Sequence, residues 1–138
     1  MAPLRAAWSD RGSATAEFVL VGTMLTLLFL AVLQLAIDLH VRNVLAACAA
    51  DGARYAANAD IASPDAATQR TTDLVRRSLG GAANLSEITP ALEPVDGAQV
   101  VVVRVSARLP TVFGLLPAIP VHVEGRAMLE GAPLQAPP

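Results

Sequence analysis

The sequence predicts an α+β fold: a long N-terminal helix, a second amphipathic helix and a small antiparallel sheet. Three observations predict it. Residues 18–37 form a charge-free apolar run. Apolar residues then recur at three- and four-residue spacing through two further stretches, separated near Ser63. Beyond Asn84 the period changes to two, around an Asp96-Gly97 turn signal.

The first element begins after a short polar stretch, Met1 to Arg11, which reads as irregular and carries Arg5 and Arg11 against Asp10. From Phe18 to Ile37 the run FVLVGTMLTLLFLAVLQLAI has about the 20 residues a helix needs to cross the hydrocarbon core. Thr23, Thr26 and Gln34 are its only clearly polar members, and helical threonines return their hydroxyls to carbonyls of the preceding turn. A cleaved secretory signal has a shorter apolar core of about 7–15 residues. Here the run is longer and Asp38, His40 and Arg42 follow it, so a span is the better reading. The composition agrees: 54% hydrophobic residues with only 4% aromatic, and a mean hydropathy of +0.49, point to a membrane holding part of the chain. Arg5, Arg11 and the α-amine put the N-terminal side in the cytoplasm by the positive-inside rule, and the chain after Asp38 outside.

The helix does not stop at the membrane surface. No proline interrupts Asp38 to Asn58, and Val41, Val44, Leu45, Cys48, Gly52 and Tyr55 make one apolar stripe. Asp38/Arg42 and Asp51/Arg54 fall at i,i+4 and i,i+3 on the wet side. Counted from Ser13, such a helix is about 70 Å long at 1.5 Å per residue.

Just before the apolar run stands Arg11-Gly12-Ser13-Ala14-Thr15-Ala16-Glu17-Phe18. An acidic group in lipid costs up to about 3 kcal/mol and less near the edge, so Glu17 needs a reason. One reading puts it at interface depth, reaching the headgroups and favouring a helix N-terminus. The other is a prepilin processing site. A cut after Gly12 makes Ser13 the new N-terminus and Glu17 the fifth residue of the mature helix. In a packed filament that carboxylate can meet the α-amine of a neighbouring subunit, a pair far stronger in lipid than in water.

Residues 11–58 resemble the N-terminal module of the TadE-like family, pseudopilins of the tight-adherence (Flp-type) pilus and secretion apparatus. The matching features are Gly12-Ser13, Glu17-Phe18, Val41-Arg42-Asn43 and Asp51-Gly52-Ala53-Arg54-Tyr55-Ala56. The chain departs from the usual pattern at Gly22, where a proline is common nearby, at Gln34-Leu35-Ala36 in place of an acidic-aromatic-Gly sequence, and at His40 in place of an aromatic. The resemblance implies a minor pilin cut by a prepilin peptidase between Gly12 and Ser13, with Glu17 and Phe18 serving assembly. It implies other pilins and the assembly platform as partners, met through lateral helix packing in which Gly22 and Ala31 permit close approach.

The second helix reads from Ser63-Pro64-Asp65, with Ser63 as N-cap, Pro64 in the first turn and Asp65 favoured by the dipole. Ala67, Thr71, Leu74, Val75 and Leu79 supply its apolar face, and Gly80-Gly81 ends it. Arg70, Arg76 and Arg77 read as its solvated face, with a lipid or partner patch as the alternative. A hairpin then joins Ile88–Val95 to Ala98–Leu109, and Pro90 and Pro94 make its first arm an edge strand. Val101, Val103, Val105, Ala107 and Leu109 point one way, and Arg104, Ser106 and Arg108 the other. Val121, Val123, Ala127 and Leu129 alternate with His122, Glu124, Arg126 and Glu130, which puts Arg104 or Arg108 opposite Glu124. The connection from Thr111 to Pro120, TVFGLLPAIP, is unusually apolar. It either folds back over the sheet end or contacts a membrane or pilus component. The tail PLQAPP reads as frayed.

Chemistry is sparse. A net charge of −2 offers no field for nucleic acid. With one cysteine, Cys48, neither an internal disulfide nor a cysteine zinc site can form, and Cys48 reads as a small buried hydrophobe. His40 and His122 stand without other ligands at metal spacing, and no phosphate loop, HExxH or serine elbow is present. No catalytic residue, cofactor, metal or small-molecule substrate is therefore expected. The layout is a leader over 1–12, a transmembrane helix over 13–37, its extracytoplasmic continuation over 38–59, an α+β head over 60–130 and a tail over 131–138. An uncleaved single-pass adaptor of an envelope or secretion complex is the rival reading, in which Gly12 and Glu17 are incidental.

Overall fold

The computed structural model describes residues 10–58, 63–80, 84–109, 111 and 118–129, with side chains from Ser13 onward. Its element order is α1 (Asp10–Ala57), α2 (Pro64–Leu79), β1 (Asn84–Val95), β2 (Ala98–Leu109) and β3 (Ile119–Met128). The chain divides into two compact units, Met1–Ala36 and Ile37–Pro138. The expected α+β arrangement is present. The tail and Glu130 lie outside the described residues, as do 112–117 of the apolar connection and 1–9 of the N-terminal stretch.

In the first unit α1 carries no packing partner among the described residues. Phe18, Leu20, Leu25, Leu28, Phe29 and Val32 are all exposed. Thr23 Oγ1 donates to the Val19 carbonyl at 2.8 Å and Thr26 Oγ1 to that of Gly22 at 2.9 Å, so both hydroxyls are satisfied within the helix. Asp10 and Arg11 are already helical, which corrects the end of the irregular stretch expected up to Arg11. Of residues 10–17 only Gly12 disfavours helix.

In the second unit the lower half of α1 and all of α2 lie on one face of a three-stranded antiparallel sheet of order β1-β2-β3. Leu45, Ala49, Ala53, Ala67, Val75, Val103, Val105 and Leu109 form its centre. The Asp96-Gly97 turn has φ of 48° and 80°, the pair of positive values a two-residue type I′ hairpin needs. β1 is an edge strand, as its prolines require, but it runs back to Asn84, four residues earlier than expected. A register shift between Leu85 and Glu87 accommodates the extension. Ile119 and Pro120 belong to β3, so the apolar connection is shorter than the sequence suggested. Proline is tolerated there because it stands near the start of an edge strand.

Two close approaches set how α1 sits within this unit. A Cβ on Gly125 would lie 2.2 Å from the Ala49 carbonyl carbon and 2.3 Å from Ala50 N, so β3 touches helix backbone there. A Cβ on Gly52 would lie 2.0 Å from Thr71 Oγ1, so α1 and α2 are in contact at that pair. Thr71 is fully buried and Oγ1 has no hydrogen-bond partner among the described residues. Tyr55 departs from the expected buried stripe and is 46% exposed, because Ala53, Ala56 and Ala57 turn inward in its place. Its ring lies under the Arg70 guanidinium, 5.7 Å from Cζ to the ring centroid. Arg70 also pairs with Asp51 at 3.0 Å, which corrects two expectations: Asp51 reaches across to α2 rather than to Arg54, and Arg70 ties two helices instead of facing only solvent. Ser63 stands at the N-cap position in extended backbone but makes no side-chain cap bond, and Pro64 occupies the first turn instead.

Arg104 does face Glu124 in register, at 3.6 Å, and it also pairs with Glu93 while Arg126 pairs with Glu124. These side chains occupy the outer face of the sheet. Val102, on that same face by alternation, is fully buried beneath them.

Candidate processing and anchoring segment

Gly12, Ser13, Glu17 and Phe18 all fall on α1, near the N-terminal end of its described residues. The Gly12–Ser13 bond is held in helical backbone within α1. Gly12 weakens the helix there, since glycine is about 1 kcal/mol less favourable than alanine in a helix. Ser13 and Glu17 are four residues apart and share a face, with the Glu17 side chain tilting back toward the N-terminus. Both are exposed, and Phe18 is 79% exposed. The backbone therefore places an acid one turn above the prospective new amine, at the mouth of the apolar run.

Among the described residues α1 is the one helix long and apolar enough to cross a membrane, and none of its apolar window is buried. A core helix of a soluble domain would be covered. A single N-terminal apolar helix of this kind fits a single-pass membrane protein.

Outside this segment the described residues contain no grouping of three or more His, Cys, Asp or Glu that can hold a metal. Cys48 is a free, buried thiol. Burial pushes its pKa up, a hydrogen bond with Ser78 pulls it down, and the charge of Asp51 raises it. His40 and His122 are both exposed. Sequence reasoning missed Gly125, although a glycine inside a strand signals a close backbone approach. It also missed the Asp51–Arg70 link, for which a 19-residue separation leaves no local signal.

Compared with known proteins, residues 12–54 match the family model described as TadE-like protein. The match starts at Gly12 and ends at Arg54, so it takes in Gly12-Ser13, Glu17-Phe18, the apolar run and the part of α1 that packs in the second unit. No curated protein and no solved structure matches the chain.

Proposed function

We propose that this chain, TadE-like over residues 12–54, is a minor pilin or pseudopilin that acts in assembly of a tight-adherence pilus or related secretion apparatus and catalyses no reaction. The family match supports the pilus-related role; the finer assignment rests on one observation. An acid stands five residues beyond Gly12, on the face of Ser13, at the start of an unburied apolar helix. A prepilin peptidase hydrolyses the Gly12–Ser13 amide after the helix opens at that bond. The N-terminal side is cytoplasmic and the head extracytoplasmic. The mature helix then begins at Ser13, and Glu17 offers its carboxylate to an α-amine of a neighbouring subunit or of the assembly platform. In lipid the pair is favoured because neither charge has water as an alternative partner.

One observation favours the uncleaved adaptor: the helix runs unbroken through Gly12 from Asp10, so the bond is not presented in an extended loop. A Glu17→Gln chain in the native host separates the two readings. The change keeps shape and removes charge. A pilin loses surface pili while its level in the membrane stays normal. An adaptor keeps both, and normal piliation in Glu17→Gln cells contradicts the proposal.

A further inference from the structure

We propose that the end of the head where α1 enters it rests on the phospholipid headgroups of the bilayer, held there by Arg42 and Arg108. The inference depends on α1 spanning that bilayer. It starts from burial along the helix within the second unit. Ile37 and Leu39 are 39% and 52% exposed, whereas Val41 is 5% exposed and belongs to the core. Packing within this unit thus begins within one turn of the half-exposed Leu39.

The sheet end that lies at this level follows from contacts inside the same unit. Gly125 touches α1 at Ala49 and Ala50, while Arg126, Ala127 and Met128 line one hollow with Arg54 and Ala57. β3 therefore runs in the same direction as α1. Six residues back from Gly125 is Ile119, about 20 Å away along the strand at 3.3 Å per residue. Allowing for the angle between strand and helix, that corresponds to roughly ten to thirteen helix residues at 1.5 Å each. Counted back from Ala49, it reaches the neighbourhood of Ile37 to Leu39. Ile119 pairs with Leu109, and Arg108 pairs with Pro120, so this end of the sheet stands at the level of the half-exposed turn of α1.

The charges at this end suit a phosphate surface. Arg70, Arg104 and Arg126 each have a carboxylate partner, whereas Arg42 and Arg108, like Arg54, Arg76 and Arg77, have none among the described residues and are exposed. Two carboxylates lie close to this end. Glu87 accepts a hydrogen bond from Thr89 at 3.0 Å, and Asp38 is half-buried. A guanidinium presents a planar fork of donors that fits a phosphate with two hydrogen bonds. A headgroup layer supplies such phosphates at the depth where the apolar helix ends.

The test uses the full chain in nanodiscs of mixed anionic and zwitterionic lipid that carry a headgroup-chelated gadolinium ion. Nitroxide labels are placed one at a time at Ala118, Gln99 and Leu28. The background is Cys48→Ala, or the native chain with Cys48 shielded by burial if that change unfolds the head. Ala118 lies next to Ile119, and Gln99 lies ten residues along β2 from Leu109, about 33 Å away. The proposal expects strong relaxation of the label at 118, almost none at 99, and loss of the effect at 118 in an Arg42→Gln/Arg108→Gln chain. Equal relaxation at 118 and 99, or no response to the double substitution, overturns it. The Leu28 label separates the two layers of the argument. If it is oxygen-accessible as in lipid while 118 behaves like 99, only the docking fails; if it is in water, the span fails and the docking with it.

Discussion

Replacing Gly125 with alanine puts a methyl carbon 2.2 Å from the Ala49 carbonyl carbon, 2.3 Å from Ala50 N and 2.5 Å from Ala49 O. Comfortable separations between such atoms are about 3.5–4.0 Å, so strand and helix must part by more than 1 Å. No rotamer change relieves the contact, because all three neighbours are backbone. The helix face that would lift carries Leu45, Ala49 and Ala53, each fully buried. Overpacking of this kind costs about 1–3 kcal/mol, and the upper end applies where the obstacle cannot rotate away. Alanine restricts the unfolded chain and returns about 0.4–1 kcal/mol. The net loss is about 2 kcal/mol, which at 1.4 kcal/mol per tenfold is roughly a 30-fold fall in protection. Amide hydrogen exchange at Val103 and Val105 in β2, measured on the full chain in micelles, reads the head without interference from the membrane half of α1. Gly22→Ala is the control, since a Cβ there meets nothing within 4 Å. Unchanged or increased protection in Gly125→Ala would refute the packing of α1 on β3.

Three further outcomes follow from the same contacts. Gly52→Ala destabilises the head by driving Cβ to 2.0 Å from Thr71 Oγ1, and Thr71→Ala relieves most of it. A double-mutant cycle by hydrogen exchange therefore gives a coupling of about 0.5–3 kcal/mol, and strict additivity counts against the contact. Thr71→Val, which exchanges an unpartnered buried hydroxyl for a methyl of similar shape, leaves stability unchanged or raises it by up to about 1–3 kcal/mol in the same assay. Cys48 reacts slowly with a thiol reagent in the folded chain and quickly after denaturation. Its folded pKa lies above the unfolded value, so its contribution to stability is complete below the unfolded pKa and declines as pH rises through the folded one. A denaturation series across alkaline pH checks the sign.

Local chemistry was legible in the sequence, and contacts made over long separations were not. The Asp96-Gly97 hairpin could be read because two adjacent residues with positive φ dictate a turn. The inward set of β2 could be read because a strand alternates strictly. Val102 broke the simple version of that rule: it is buried on the outer face under paired arginines and glutamates whose partners sit on three strands. Asp51 chose Arg70 over Arg54, and Tyr55 followed it outward, because α2 brings a guanidinium to that side of α1. Gly12, Ser13 and Glu17 were singled out by their spacing and Phe18 by the family resemblance, and the fold places all four on α1. What spacing could not reveal is that the Gly12–Ser13 bond is held in helical backbone, with helix already formed from Asp10.

The account turns on whether that bond is cut. The most direct test is the intact mass of the chain recovered from native host membranes, with a Gly12→Leu chain beside it. Processing predicts a mature protein that begins at Ser13 and a full-length one when Gly12 is replaced. A wild-type chain that keeps its first twelve residues in cells with an active prepilin peptidase contradicts the account and leaves the adaptor reading in its place.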